Sequence, residues 1–434
     1  MSQQIQHAKG DVAALHEKAR QTLIQNSRKN AYTVPSKNLY PFQWNWDSCF
    51  TAMGWLTFDE ERAWKEMETL FSAQWQNGMI PHIIFHEMVD SYFPGTAVWR
   101  AGEVIDSSGI SQPPVAATSA RYMYENAKDK DMAQKNIEML LPKIFFSHQW
   151  WHNDRDPEHE GLVATFHPWE TGRDNSAEWD KALSNVSTAE LEMYKRLDVT
   201  LIDPAHRPSN YEYDRYLSLV QLFRDNDYDQ KKIHDITVFK IADVGINSIL
   251  LRANRDLLAL LEEVEPDDGW MAERVKLWIE RQESAFSRLW NEKTKAFHCL
   301  DLVSGELIKE MTSAAFLPFF AKMVTEEQQA ALISHLDRWS DEVEYAVPSL
   351  DPFDEKLDEK RYWRGPVWGI VNYMIADGLK CAGEDLWSDR IRKDTAKLME
   401  QHGFAEYYDP KTGEGLGGVD FSWTAAMWLI WAGL

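Results

Sequence analysis

Cysteine is nearly absent: Cys49, Cys299 and Cys381 are the only three in 434 residues. An odd, widely spaced set excludes a disulfide framework and a cysteine-based zinc site, and suits a reducing compartment. Positive charge is also short. Lys and Arg number 46 against 69 Asp and Glu, for a net charge of −23. Phosphate backbones require clustered cations, so nucleic acid is excluded as a partner, as is an anionic membrane surface. No stretch approaches the ~18 uninterrupted apolar residues of a membrane span, and residues 1–30 are polar and amphipathic without an apolar signal core. A cytoplasmic location is expected. The chain also has no glycine-rich phosphate loop, no HExxH, no CxxC and no metal-type histidine cluster, so neither cofactor nor metal is expected. No Pro/Gly/Ser-rich or low-complexity linker divides it, and residues 1–434 read as one domain.

Apolar and aromatic material is plentiful. Hydrophobic residues make up 44% of the chain and charged residues 26%, ample for a large core. Twenty tryptophans stand out. About half are expected in the core. The others sit in polar, turn-rich motifs and suit a sugar pocket, because pyranose C–H faces pack on aromatic rings while the indole N–H reaches a hydroxyl. Apolar residues recur at helical spacing over 11–25, 46–55, 60–74, 114–127, 131–151, 211–223, 246–263, 271–290, 312–323, 326–337, 367–382, 387–401 and 422–432. Leu250, Leu257, Leu258 and Leu261 mark one helix face. Strand signals are confined to 79–85 and 296–302, read as small hairpins in loops. The helices lack the roughly 34–47-residue period of a solenoid. They predict a closed ring of helical hairpins, an all-α (α/α)6 barrel, in which loops from one end converge on the axis.

Six motifs, and Gln112 before a helix start, carry candidate chemistry. Residues 40–50 set the aromatic walls Tyr40, Trp44 and Trp46 around Asp47. Either Asp47 or Ser48 caps the following helix, or the Asp47 carboxylate bonds two sugar hydroxyls. Asn77-Gly78 is a turn flanked by Trp75 and His82, candidate lining residues. Gln112 precedes Pro113-Pro114, where a helix starts. Residues 167–176 hold Asp174, a turn residue on one reading and a general acid on the other. Glycosidic cleavage needs a proton on the departing oxygen, and a carboxyl kept protonated by burial and by neighbouring Glu170 supplies it. Arg207, followed by Tyr211, Tyr213 and Arg215, is either a solvated charge or a forked clamp for a substrate carboxylate. Tyr362, Trp363 and Trp368 repeat the aromatic-plus-cation pattern within 361–368. The last motif has a turn at Asp409-Pro410 between Glu406 and Glu414, both candidates for the base that activates water. Ser422 reads as the cap of the closing helix.

Together, in this order, the motifs resemble the helical-barrel α-glycosidases of glycoside hydrolase family 63 and the trehalase type. In particular they resemble the short bacterial mannosylglycerate and glucosylglycerate hydrolases. The likeness runs from Tyr40 to the end. It includes Gln43-Trp44-Asn45-Trp46-Asp47-Ser48, the 167–176 segment, Arg207-Pro208 to Tyr216, Tyr362-Trp363-Arg364-Gly365-Pro366 and Glu406-Tyr407-Tyr408-Asp409-Pro410. The resemblance implies an (α/α)6 barrel and an inverting mechanism. It implies Asp174 as acid and Glu406, rather than Glu414, as base. It sets the sugar against Trp44, Trp46, Asp47, Trp363 and Trp368. A glycerate carboxylate would be held by Arg207 and Tyr213, with Tyr40, Gln112 and Tyr362 assisting. The implied substrate is a small-molecule glycoside, 2-O-α-mannosylglycerate or 2-O-α-glucosylglycerate. A neutral aglycone would leave Arg207 buried without a partner, which disfavours it. Inversion needs carboxyls about 6.5–9.5 Å apart, to admit water.

Other readings stay open. One is an α-glucosidase acting on glucosylglycerol or an α-linked disaccharide or oligosaccharide. Another is a carbohydrate-binding protein without turnover, against which the Asp174–Glu406 pair speaks. A sugar epimerase would need a histidine pair, with His82, His86 and His167 as candidates. The connection 184–210 is long enough to move when substrate binds. The sequence does not specify an oligomeric state.

Overall fold

The computed structural model describes residues 2–37, 39–89, 91–200, 202–264 and 269–434. The fold is mostly helical. In chain order the helices are α1 (Ser2–Asn26), α2 (Asn45–Leu56), α3 (Glu60–Phe71), α4 (Thr96–Trp99), α5 (Ala116–Asn126), α6 (Lys130–Asp154), α7 (Asp180–Ser184) and α8 (Asn210–Asp225). They continue with α9 (Gln230–Ile236), α10 (Val244–Val264), α11 (Gly269–Ala285), α12 (Leu317–Phe320), α13 (Glu326–Trp339), α14 (Gly369–Cys381), α15 (Asp385–His402) and α16 (Ser422–Met427).

Their starts follow capping chemistry. Asp59 accepts from the Arg62 amide to open α3, and Asp129 from Met132 to open α6. Ser209 with Glu212, and Thr325 with Gln328, form reciprocal capping boxes on α8 and α13. Every residue of α2 is buried, whereas α3 buries one face. A helix buried all round belongs inside, and an amphipathic one outside. On α10, Leu250, Leu257 and Leu261 are fully buried and Leu258 half-buried. Helix α2 packs on α5, α5 on α10, α10 on α12, α12 on α14, α14 on α16, and α16 back on α2. Behind them, α3 lies on α2, α6 on α5 and α10, α11 on α10, α15 on α14, and α1 on α16.

Among the described residues the strands are two residues long and antiparallel. Gln43–Trp44 pairs with Ile83–Ile84, and Tyr407–Tyr408 with Gly415–Leu416, each beside the pocket described below. The strand signals at 79–85 and 296–302 therefore shrink to these short ladders and their counterparts at Ala296–Phe297 and Leu300–Asp301.

Three local expectations are corrected. The run 312–323 holds only a 3-10 turn and the short α12, which carries Pro318 in its first turn. Neither Asp47 nor Ser48 caps α2; Trp44 stands at that position, and the Ser48 hydroxyl donates to Glu66 at 2.7 Å. Ser422 is the first residue of α16 rather than its cap. Its hydroxyl donates to Val34 O at 2.8 Å and accepts from Asn26 at 2.9 Å, tying the closing helix to the start of the chain. No described helix is long and apolar enough to cross a membrane.

Candidate active site

Loops beside α2, α8, α14 and α16 surround a pocket of about 900 Å3, mouth included. It gathers Tyr40, Trp44, Trp46, Asp47, Gln112, Asp174, Arg207, Tyr213, Tyr362, Trp363 and Glu406 from across the sequence. Of the candidate histidines only His82 is among its walls. His86 instead stacks on Tyr32 and bonds Gln43, and His167 bonds the Trp169 amide and Tyr216 O. Trp75 donates to Ser107 away from the pocket, Arg215 packs over Tyr211 at the surface, and Glu414 is exposed and paired with Lys360.

Asp174 sits on a segment anchored on both sides. Before it, Gly172 takes φ +69°, and a Cβ there would come 2.7 Å from the Trp46 ring, so only glycine fits. Arg173 turns its guanidinium away from the pocket into a buried cluster, donating to Glu178, to Thr312 at 3.0 Å and to Asp243 at 2.8 Å. After it, Asn175 Oδ1 accepts from the Trp363 amide at 2.9 Å, and Tyr216 donates to Asp174 O at 2.7 Å. No other described residue hydrogen-bonds the Asp174 carboxyl. Burial pushes its pKa up to about 7; Arg207 opposes the rise, and Glu406 and Asp198 reinforce it. Glu170 is not the neighbour that does this. Its carboxylate is locked by Arg155 at 2.5 and 3.0 Å and by the Phe166 amide at 2.7 Å.

Glu406 is held quite differently. One oxygen accepts from Tyr40 at 3.0 Å and Tyr362 at 3.1 Å, and the other from the Gly418 amide at 2.8 Å. Gly417 permits this approach: it takes φ +72°, and a Cβ there would lie 2.4 Å from the carboxylate. Burial still raises the Glu406 pKa, while Arg207 and these donors pull it back. Arg207 donates to Tyr40 at 3.0 Å and lies over the Tyr362 ring at 4.3 Å. Its Nε reaches Asp198 at 3.4 Å, so the buried cation already has an internal counter-ion, contrary to the expectation that it would be partnerless.

Trp44 meets Tyr40 and Tyr92 edge-on, and Trp46 lies beside Trp363 and Trp423. Gln112 accepts from the Trp46 amide at 3.3 Å. Burial, then the field of Glu406, raises the Asp47 carboxyl well above its usual range. Tyr213 donates to Phe93 O at 3.3 Å. Trp368 is a correction: it does not line the pocket but stacks behind Trp363, centroids 3.8 Å apart and planes 3° from parallel. Five of the twenty tryptophans are pocket walls, fewer than the half expected. Trp169 and Trp423 join them from inside motifs the sequence had marked; Tyr92 and Asp198 come from loops carrying no motif.

An open pocket with two carboxyls in opposed settings and a cation beside them suits hydrolysis of a small glycoside. The family model for the mannosylglycerate hydrolase MGH1-like glycoside hydrolase domain matches residues 40–424. The mannosylglycerate hydrolase of Thermus thermophilus is 46% identical over 417 residues, 95% of this chain and 99% of that one. The glucosylglycerate hydrolase of Mycolicibacterium hassiacum is 33% identical, covering 95% of this chain and 96% of its own. The crystal structure of the Thermus thermophilus family 63 enzyme with Tris and D-glycerate superposes with a TM-score of 0.92 at 46% identity, spanning 96% of this chain and 99% of that one.

Proposed function

Because the chain belongs to the mannosylglycerate hydrolase MGH1-like glycoside hydrolase family, and is a glycoside hydrolase, we propose that it hydrolyses a 2-O-α-glycosyl glycerate with inversion. Asp174 gives its proton to the glycosidic oxygen. Glu406 takes a proton from the water attacking the opposite face of the ring. The sugar packs against Trp44, Trp46 and Trp363 with Asp47 on its hydroxyls, and Trp368 backs Trp363. Arg207 and Tyr213 receive the glycerate carboxylate, assisted by Tyr40, Gln112 and Tyr362. The observation that carries this reading is a single pocket joining a carboxyl with a pKa near 7, a carboxylate fixed by three donors, and a buried arginine bonded to the same tyrosine as that carboxylate.

We also infer that α2, α5, α10, α12, α14 and α16 form the inner ring of an (α/α)6 barrel in one domain; the return of α16 onto α2 supports closure. Three free cysteines, two of them buried, fit a cytoplasmic location.

The test is a proton NMR time course with mannosylglycerate and glucosylglycerate in parallel. Release of glycerate with initial appearance of the β-sugar is expected, and the faster substrate identifies the preferred configuration at C2. Initial α-sugar would overturn inversion. No cleavage of either would overturn the glycerate assignment and turn attention to neutral α-glucosides.

A further inference from the structure

The connection between α7 and α8 brings one more carboxylate to the pocket wall. Asp198 is clasped by Arg196 through two hydrogen bonds, Nε to Oδ1 at 3.1 Å and Nη2 to Oδ2 at 2.7 Å. Arg196 is itself fixed: Nη1 donates to Pro208 O at 2.7 Å and Asn210 at 3.2 Å, and the guanidinium lies 4.3 Å over the Tyr213 ring. The Asp198 oxygen nearer Arg207 is thus shared between two arginines, tightly by Arg196 and loosely by Arg207 at 3.4 Å. No described residue hydrogen-bonds Arg207 Nη2. Both guanidiniums and the carboxylate are largely shut from solvent, with side chains 6%, 7% and 13% exposed. Charges so enclosed act on one another with little screening. Although burial alone would raise the Asp198 pKa, the two arginines hold it below the usual range, so it stays ionised.

We propose that Asp198 is a positioning and specificity residue, an internal stand-in for the aglycone carboxylate. It shares Arg207 with the substrate and thereby sets how tightly a carboxylate-bearing aglycone or product is held. This rests on the reading that Arg207 receives the glycerate carboxylate. Arg196, Asp198 and Arg207 together carry one net positive charge, which one incoming carboxylate neutralises. Without Asp198 the two cations would grip the product acid harder. Without Arg196, Asp198 would turn wholly to Arg207 and compete with it.

The experiment compares inhibition by D-glycerate with inhibition by the free neutral sugar, in the parent, Asp198→Asn and Arg196→Gln. In Asp198→Asn the glycerate inhibition constant should fall by the order of tenfold. In Arg196→Gln it should rise. The neutral-sugar constant should stay within about twofold in both, since a neutral ligand is indifferent to that charge. An Asp198→Asn enzyme that binds glycerate no better than the parent overturns the proposal. If that variant does not fold, Arg196→Gln decides: loss of affinity for glycerate and sugar alike marks a merely structural role and overturns it. A parent that neither cleaves glycosyl glycerates nor is inhibited by glycerate overturns the aglycone reading itself. That is a distinct failure from variants moving the wrong way in a parent that glycerate does inhibit.

Discussion

The Glu406 carboxylate receives hydrogen bonds from Tyr40, Tyr362 and the Gly418 amide, whereas the Asp174 carboxyl, in the same pocket, receives none from any other described residue. Donors aimed at a carboxylate favour its ionised form, and burial without donors favours the neutral one. The two walls therefore treat their carboxyls differently: burial raises both, and only at Glu406 do hydrogen-bond donors from neighbouring residues offset it. Arg173 sharpens the contrast. It is adjacent to Asp174 in sequence, yet its guanidinium is given to Glu178 and Asp243, so its charge is spent on anchoring the loop. The direction taken by the Arg173 side chain thus leaves the Asp174 carboxyl without the guanidinium next to it in sequence.

The largest effect should come from removing each carboxyl in turn. Asp174→Asn and Glu406→Gln should each lower kcat by about 10²–10⁴. An α-glycosyl fluoride separates them, because fluoride leaves with little help from a proton. Asp174→Asn should recover much of its rate on that substrate and Glu406→Gln should not. Equal losses on both substrates would remove the acid assignment from Asp174.

Stability should show the next effect. The Asp174 pKa of about 7 lies above its ordinary 3.8, so the folded protein holds more protons than the unfolded chain between those values. Stability contributed by this group is therefore present below about pH 4 and lost as pH rises towards 7. Asparagine cannot ionise. Asp174→Asn should be more stable than the parent near pH 8 by a few kcal/mol, roughly 2–4, and no more stable near pH 3. Denaturant unfolding at the two pH values measures this, and a gain that does not depend on pH would locate its cause elsewhere.

The smallest effect tests the other wall. Tyr362→Phe deletes one of three donors to Glu406, so the Glu406 pKa should rise and the acid limb of kcat/KM should move up by about one pH unit or less. An unmoved or lowered limb would mean that Tyr362 does not stabilise the ionised base.

Much of this contrast was legible in the chain. Asp174 and Glu406 were marked by turn-rich segments about 230 positions apart, and the helical spacing located α2, α6, α10 and α15 within a few residues. What escaped depends on contacts across the fold. Glu170 looked like the partner of Asp174 from four positions away, but it belongs to Arg155, fifteen residues earlier. Trp368 shares a motif with Trp363, yet the parallel stacking of the two rings leaves only the front one at the pocket. Asp198 and Tyr92 lie in loops whose composition announces nothing, and only the packing of those loops against Arg207 and Trp44 gives them meaning. Ser422 read as a cap because local chemistry favours serine there, but a bond spanning 388 residues claimed its hydroxyl.

That bond and the Tyr40–Glu406 contact, 366 residues apart, have a kinetic consequence. The hairpins can form early from local contacts, and Glu406 finds Gly418 and Tyr362 only 12 and 44 residues away, but its Tyr40 donor arrives only with loop closure over most of the chain. On the ribosome the anchors of the acid loop, Asp243, Thr312 and Trp363, emerge before the base, so the base side is completed last, once Glu406 and Gly418 have followed. Catalytic competence would then appear late, and truncations before residue 406 should yield inert protein that also lacks the closing contacts of α16 on α2 and α1.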